Sequence, residues 1–176
     1  MPQTRENSLP HFRKNKCRFF RKSTCRLHSI PLGLEQGFNE LMESGEIDHL
    51  PKIYGVQPRN CNPIYRKFCG EADEFEAAAT IAEGIALKFS SHRDEVVEAI
   101  KKTCGGMVSV EEREILQALK TITKKGYYIE PTSCATFAGA TKLIGDGVIG
   151  KEQKTVIIIS GNGLKASEKI FHYLQQ

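Results

Sequence analysis

The sequence contains no apolar run long enough to cross a bilayer, which takes roughly 18 to 20 residues. One of its most apolar stretches, TVIII at residues 155–159, spans only five residues. Of the 176 residues, 40% are hydrophobic and 26% are charged, which is typical of a globular domain with apolar material for about one core. The sequence therefore excludes a membrane span, and we expect a soluble, cytoplasmic protein with no membrane partner.

Cysteine and histidine are present, but not at the spacing of a metal site or a disulfide scaffold. The six cysteines form no CxxC pair, and the five histidines show no regular spacing to one another or to acids. No apolar secretory segment accompanies them. We therefore expect reduced thiols and no bound metal. Cys134 lies near a predicted helix start, where thiol acidity rises, but no histidine partner is evident, so we interpret it as a packed side chain.

Acidic residues are almost missing from the first 28 positions. This head contains eight lysines and arginines and a single acid, Glu6, whereas residues 29–176 contain 17 basic and 20 acidic residues. Like charges without counter-charges repel one another and oppose compaction, so we expect the head to be poorly ordered. Three interpretations are open: an organelle transit peptide, a nucleic-acid-binding arm with phenylalanines between its cations, and a non-native leader. The rest of the sequence favours the third.

From about residue 31 onward, short β-branched or aromatic runs alternate with patterns of helical period. The predicted strands are 52–57, 105–110, 127–130 and 155–159. The predicted helices are 34–42, 63–68, 92–102, 111–125, 132–145 and a last helix that ends near residue 174. This alternation predicts an α/β fold, a three-layer αβα arrangement with a mainly parallel sheet, in which the apolar strand 155–159 is buried on both faces.

Two junctions after predicted strands are candidates for chemistry, because ligands of open parallel sheets bind beyond the carboxyl ends of the strands. SGNG, at residues 160–163, places a hydroxyl and two glycines after the most apolar strand. Glycines allow a backbone to approach a ligand closely, but they also form ordinary turns, so SGNG alone leaves both interpretations open. In EPTSC, at residues 130–134, helix capping is sufficient to explain Thr132 and Ser133.

Four segments, taken in order, resemble the fold-type II pyridoxal phosphate enzymes, most closely the threonine synthases. They are PKIYGVQPRNCNPIY, TIAEGIAL, GYYIEPTSCATFAGATKLIGDGVI and TVIIISGNGLK. The last is similar to the TGHGLK ending of threonine synthases and the SGRGDK ending of tryptophan synthase β chains. The resemblance spans about residues 31–170 and implies part of a tryptophan synthase β-like fold, in which pyridoxal 5'-phosphate lies between two domains.

The resemblance also implies a role for five residues as cofactor-binding positions. Ser160 corresponds to the hydroxyl residue that hydrogen-bonds the pyridine nitrogen, and Gly161 and Gly163 correspond to the glycines around it. Glu130 falls near a glutamate beside the cofactor ring, and Gly84 lies in a segment similar to one that lines the cofactor. A neutral hydroxyl does not force the ring nitrogen to be protonated, which favours elimination or replacement at the β or γ carbon over transamination.

Two parts of the family pattern are not found in this sequence. No motif before Pro31 resembles the family's Schiff-base lysine motif, so we assign no catalytic residue. Where the family has a glycine-rich phosphate loop, this chain has KSTCRLHSI at residues 22–30, with no glycine. We therefore expect residues 1–30 to be a basic leader, of the kind a truncated or out-of-frame gene produces, and residues 31–176 to be the carboxy-terminal part of a family enzyme.

Three functional hypotheses follow. The first is a threonine synthase-like lyase of amino-acid metabolism, represented by a carboxy-terminal portion that acts on an amino-acid substrate only if another chain supplies the lysine and the phosphate loop. The second is a truncated, non-catalytic fragment or pseudoenzyme that binds or oligomerises. In both, apolar surface normally covered by a lost partner makes a homo-oligomer the expected state. The third, nucleic-acid binding by the basic head, is the least favoured.

Overall fold

The computed structural model describes residues 26–72, 74–89, 91–150 and 152–175. The elements in chain order are helix α1 (Arg26–Glu43), strand β1 (Tyr54–Pro58), helix α2 (Pro63–Cys69), a first 3₁₀ turn (Glu83–Ile85), helix α3 (Arg93–Lys102), strand β2 (Gly106–Val110), helix α4 (Glu112–Lys124), helix α5 (Pro131–Gly145), a second 3₁₀ turn (Gly163–Ala166) and helix α6 (Ser167–Leu174). Of the predicted head, residues 1–25 lie outside the described residues, so its predicted disorder stays a prediction.

Glycines with left-handed backbone end two of the helices where the sequence predicts. Gly45, just after α1, has a φ of 74°, and Gly126, just after α4, has a φ of 87°. Glycine adopts this conformation without the steric cost that a Cβ would add. Helix α4 also begins with acids and ends with a lysine, as the helix dipole favours. These local signals explain why the predicted helix limits lie close to the observed ones.

Strands β1 and β2 pair in parallel, in a continuous register from Tyr54 opposite Gly106 to Pro58 opposite Val110. Helix α5 lies against one face of this pair, because Gly139 lies directly over Val56 and Val108. Helix α3 covers the other face, where Ile100 and Met107 belong to the same cluster as Ile53. The arrangement has helices on both faces of a parallel sheet, which confirms the predicted α/β class.

Two of the three apolar clusters among the described residues join several helices, and the third, around Val108, Leu143 and Ile149, lies against the β1–β2 pair. The larger one joins α4, α5 and α6 around fully buried residues such as Ile115, Leu119 and Ile170. The second joins α1, α2 and α3 beneath the other face of the sheet. The core therefore sits around the β1–β2 pair and the N-terminal half of α5, and this framework supports the loops that carry the candidate site.

Two predicted strands are absent from the described structure. Residues 127–130 contain one isolated antiparallel bridge, between Ile129 and Asn162, instead of a strand. Residues 155–159 form neither strand nor helix and are mostly exposed, with Val156 at 88% and Ile159 at 45% exposure. The prediction of a strand buried on both faces at 155–159 is therefore wrong for this chain. The physical reason is that a strand requires a partner, and no neighbouring strand of the described chain adjoins this segment.

Helix α1 begins earlier than its predicted limit at residue 34. It starts at Arg26 and runs through Pro31, so it crosses the predicted boundary at residue 30. The boundary itself stays a prediction, because residues 1–25 lie outside the described part. In that described part, no helix combines the length and the apolar content needed to span a bilayer.

Candidate functional site

The two candidate junctions meet beside the start of α5. The bridge between Ile129 and Asn162 is flanked by two backbone hydrogen bonds: the Gly163 N–H donates to the Tyr128 carbonyl at 3.0 Å, and the Glu130 N–H donates to the Gly161 carbonyl at 3.3 Å. Two segments that are distant in the chain thus form a short antiparallel contact. The structure therefore brings together Glu130, Gly161 and Gly163, three of the five predicted cofactor positions.

Gly161 lies in close contact with the Glu130 side chain at this bridge. A Cβ at Gly161 would collide with the carboxylate of Glu130, and one at Gly163 would lie 2.9 Å from the ring of Tyr128. The buried Gly161 N–H donates to the Ser133 hydroxyl at 3.2 Å. Both glycines thus permit the loop after residue 160 to lie flat against the start of α5, with the Glu130 carboxylate beside Gly161.

Gly84 joins the same region from the first 3₁₀ turn. Its N–H donates to the Thr132 hydroxyl at 3.1 Å, and a Cβ at this position would lie 2.8 Å from that oxygen. Thr132 is in the first turn of α5, two residues after Glu130. Gly84 is therefore fixed near Glu130, although these two predicted cofactor positions lie on different segments of the chain.

The hydroxyls of Thr132 and Ser133 do not cap α5, which corrects the sequence prediction. The residue at the N-cap is Glu130, and no side chain makes a capping hydrogen bond there. Thr132 instead accepts from the Gly84 backbone and Ser133 from the Gly161 backbone. Both hydroxyls thus fasten distant loops to the start of the helix. The sequence carried no signal for this, because hydrogen bonds between distant segments leave no periodic pattern.

These loops enclose an open cleft of about 510 Å³. Its walls are the two 3₁₀ turns, the start of α5 and the beginning of α6. Its charged lining residues are Glu83, Glu130, Lys165, Glu168 and Lys169. Lys169 donates to both carboxylate oxygens of Glu83, at 2.7 and 2.6 Å, and this hydrogen bond raises the pKa of Lys169. Within the described part of the chain, Lys165 has no such ion pair.

Ser160, the fifth predicted position, lies outside the lining of the cleft. It is exposed, at the end of the unpaired segment 155–159, and its hydroxyl makes no hydrogen bond to the described residues. The Glu130 carboxylate likewise has no ion pair or hydrogen bond among the described side chains. Ser160 is thus the residue before Gly161 in the chain and adjoins the Gly161–Glu130 contact. Its hydroxyl has no hydrogen-bond partner among the described residues.

Cys134 is a packed side chain, as the sequence predicts. It is fully buried in the larger apolar cluster, and burial, with a smaller contribution from Glu130, raises the pKa of its thiol to about 12. A thiol that stays protonated near neutral pH is a poor nucleophile. Cys134 therefore contributes packing and no chemistry. The four described cysteines are free, and no group of metal-binding side chains occurs among the residues that the structure covers.

Comparison with known proteins places the chain in one family. Residues 29–161 match the family model described as pyridoxal-phosphate dependent enzyme. The chain is 33% identical over 134 residues to a threonine synthase of Methanocaldococcus jannaschii, a match that covers 74% of this chain and 33% of that protein. It is 29% identical over 142 residues to threonine synthase 2, chloroplastic, of Arabidopsis thaliana, covering 78% of this chain and 28% of that protein.

A solved structure shows the same fold. The crystal structure of a T.th. threonine deaminase superposes with a TM-score of 0.56 at 19% identity, covering 78% of this chain and 45% of that one. At this identity the likeness concerns the fold alone. The chain spans about a third of the length of the curated relatives it matches.

Proposed function

The chain belongs to the pyridoxal-phosphate dependent enzyme family, and from that premise we propose that it is the part of a threonine synthase-like lyase that contacts the cofactor ring. Such a lyase eliminates or replaces a group at the β or γ carbon of an amino-acid substrate. In this proposal residues 31–176 form the family portion and residues 1–30 a basic leader. The observation that carries the proposal is the antiparallel contact that brings Glu130 against Gly161 and Gly163.

The described residues fit the ring end of pyridoxal phosphate. Ser160 has a hydroxyl with no internal partner among them, and the neighbouring Glu130 carboxylate lies beside Gly161. Ser160 would hydrogen-bond the ring nitrogen and Glu130 would lie beside the ring, with Gly84 on the adjacent loop. When bound, the cofactor withdraws electrons from the substrate's α carbon, and a neutral hydroxyl at the nitrogen moderates that withdrawal.

The phosphate end and the Schiff-base end do not fit the described residues. Residues 26–30, which occupy the place of the phosphate loop, are helical and contain no glycine. Of the two lysines in the cleft, Lys169 is paired with Glu83, and Lys165 lies in the second 3₁₀ turn, after the predicted ring-binding segment. We therefore derive no reaction step for this chain alone. The proposal assigns the lysine and the phosphate loop to the part of the family fold that lies outside the matched residues.

The test measures cofactor binding by the chain with and without that missing part. The probe is the portion of the Methanocaldococcus jannaschii threonine synthase that lies outside the 134 matched residues. We expect tight pyridoxal phosphate binding only in the mixture, with a lysine of the added portion trapped by borohydride and identified by mass spectrometry. Ser160→Ala should weaken binding about tenfold, the value of one hydrogen bond, and Ser160→Thr should leave it nearly unchanged. An unchanged affinity in the mixture would contradict the proposal.

A non-catalytic binding or oligomerising domain is the second candidate, and the exposed apolar segment 155–159 favours it. In this case the chain forms a homo-oligomer and gains no cofactor affinity from the added portion. Sedimentation velocity of the chain, alone and mixed with the added portion, distinguishes the two candidates. An oligomer that does not associate with the added portion supports the second candidate, and a complex with the added portion, whatever the oligomeric state of the chain alone, supports the first.

A further inference from the structure

Residues 80–85 form one wall of the cleft, and we call them the wall segment. Ile81, Glu83 and Gly84 line the cleft directly. Residues 80–82 belong to no helix or strand, and residues 83–85 form a single 3₁₀ turn. A turn this short has weak internal hydrogen bonding, so the position of Gly84 depends on contacts with other elements.

Two side chains from the starts of neighbouring helices fasten the wall segment. The Ile81 N–H donates to Oε2 of Glu112, in the first turn of α4, at 2.8 Å. The Gly84 N–H donates to the hydroxyl of Thr132, in the first turn of α5, at 3.1 Å. The backbone from Ile81 to Gly84 is therefore held at both ends.

The two anchors belong to one packed unit. Helices α4 and α5 meet in the larger apolar cluster, which also contains Ala82 and Ile85 of the wall segment, 0% and 8% exposed. Apolar packing is non-directional, so it fixes the depth of the segment but not the direction of its N–H groups. The hydrogen bonds to Glu112 and Thr132 supply that direction. Loss of one anchor therefore frees the segment to turn about the other.

The Glu112 carboxylate has no second task among the described residues. Its other oxygen, Oε1, is buried and accepts no hydrogen bond from them. Two residues further on, Glu114 accepts from the Glu111 N–H at 2.7 Å and thus serves the start of α4 itself. Glu112 also lies outside the lining of the cleft. Its described hydrogen bonding is directed to the wall segment, through Ile81.

We propose that Glu112 is a positioning residue for the ring-binding site. It holds the Ile81 N–H and thereby keeps Gly84 at the Thr132 hydroxyl. Because the carboxylate does not line the cleft, it acts through the wall segment and not by contact with a ligand. The proposal rests on the proposed function only where it concerns the cofactor. The coupling between Glu112 and Gly84 is a property of the chain alone.

The first test measures amide hydrogen exchange of the full chain without cofactor. The decisive amide is that of Gly84, because its own acceptor, Thr132, is intact in every Glu112 variant. Glu112→Ala should speed exchange at Gly84 about tenfold, the value of one hydrogen bond. Glu112→Gln keeps an acceptor oxygen at the same reach and should exchange like the parent. If Glu112 serves Ile81 alone, the Gly84 rate will not move.

Glu114→Ala is the matched control. It removes a carboxylate from the same turn of the same helix, so it destabilises α4 without touching the wall segment. Exchange at Gly84 should then change no more than exchange in strand β2. The reciprocal variant, Thr132→Val, removes the other anchor with little change of shape and should speed exchange at Ile81. It tests the same coupling if Glu112→Ala fails to fold.

A second measurement connects this coupling to the cofactor. The chain is mixed with the portion of the Methanocaldococcus jannaschii threonine synthase that lies outside the matched residues. Glu112→Ala should weaken pyridoxal phosphate binding about fivefold, as expected of a residue that acts through others, and Glu112→Gln should restore it. Glu114→Ala should leave the affinity unchanged. If the parent itself gains no affinity, the proposed function fails, and the exchange rates still decide the role of Glu112.

Three results overturn the proposal. The first is parent-like exchange at Gly84 in Glu112→Ala. The second is an equal acceleration in Glu114→Ala, because the effect is then a general loosening of α4. The third is faster exchange at Gly84 in Glu112→Ala with parent-like cofactor affinity, because the wall segment then moves without consequence for the ring-binding site.

Discussion

Strand β2 and the segment at residues 155–159 are both short runs rich in β-branched apolar residues, but only β2 belongs to a sheet. In β2, Val108 and Val110 are buried, and every residue is in register with β1. In the other segment, Val156 and Ile159 are exposed and the backbone is unpaired. The composition of the C-terminal segment is, if anything, the more typical of a strand.

The difference lies in the neighbours. Strand β2 has β1 on one edge, α5 on one face and α3 on the other, so its backbone is hydrogen-bonded and its side chains are removed from water. Residues 155–159 have none of these contacts within the described chain. Strand propensity is therefore a statement about fitting a pleated, covered surface, and it predicts a strand only where the rest of the fold supplies that surface.

The largest expected change in the free energy of unfolding comes from a comparison of the packed core with the segment at residues 155–159. Leu119→Ala removes a fully buried side chain from the larger apolar cluster and should lower the free energy of unfolding by about 3 kcal/mol. Val156→Ala removes an exposed side chain and should change it by about 0.5 kcal/mol or less. Urea denaturation of the two variants measures both. Similar losses of unfolding free energy in the two variants would show that residues 155–159 are packed in solution.

A second prediction concerns the contact between α5 and the sheet. A Cβ at Gly139 would lie 2.6 Å from a methyl carbon of Val56 and 3.1 Å from one of Val108, whereas a Cβ at Gly145 meets nothing within 4 Å. Gly139→Ala should cost about 2 kcal/mol, because β-branched neighbours cannot rotate away. Gly145→Ala, on the same helix, should be neutral or slightly stabilising. Thermal unfolding distinguishes them, and equal effects would contradict close α5–sheet packing.

The third prediction uses the thiol buried in the packed region. The pKa of Cys134 is about 12 in the folded chain and 9.0 ordinarily, so between these values the unfolded state releases the proton and the folded state keeps it. Stability should therefore fall as the pH rises from 9 towards 12, by roughly 1 kcal/mol for each pH unit from this group.

The measurement compares urea midpoints at pH 8 and pH 10 for the parent, Cys134→Ala and the exposed-site control Cys69→Ala. Cys134→Ala should have the smaller loss between the two pH values, although it is less stable at pH 8 because a small cavity remains. An identical loss in all three proteins would mean that Cys134 ionises equally in the folded and unfolded states.

The smallest change in stability is expected when the ion pair at the edge of the cleft is removed. The ion pair between Lys169 and Glu83 connects α6 to the first 3₁₀ turn, but both side chains are more than half exposed. Exposed pairs contribute little and are screened by salt. Lys169→Gln should leave the melting temperature within error of the parent. A clear fall in the melting temperature that persists in high salt would show that the pair is shielded from solvent. The cleft would then be more closed than in this structure.

Local signals were sufficient for most of the secondary structure. The strands around residues 54–58 and 106–110, the helix ends at Gly45 and Gly126, and the packed state of Cys134 all follow from patterns within a few residues. The strand predicted at residues 127–130 was wrong, because that run makes only one bridge, at Ile129. The strand predicted at 155–159 was wrong for the same kind of reason: pairing depends on segments distant in the chain.

For the candidate site, too, the sequence predicted the residue types but not the contacts between them. The residue types at Ser160, Gly161, Gly163, Glu130 and Gly84, together with the order of their segments, are legible in the sequence and indicate the family. The contacts among them are not. The hydrogen bond from the Gly84 N–H to Thr132, the hydrogen bond from the Gly161 N–H to Ser133 and the close approach of Glu130 to Gly161 join residues 28 to 48 positions apart. Their roles in cofactor binding stay predictions.

The sequence by itself determined the alternation of helices and strands, the ends of the helices and the family, because these depend on periodicity, on glycine's backbone freedom and on residue order. Only the tertiary structure decided which apolar run becomes a strand and which hydroxyls fasten the loops to α5. The physical reason is that a hydrogen bond or a buried surface belongs to two segments at once. Its energy is therefore available only after the chain has brought both segments together.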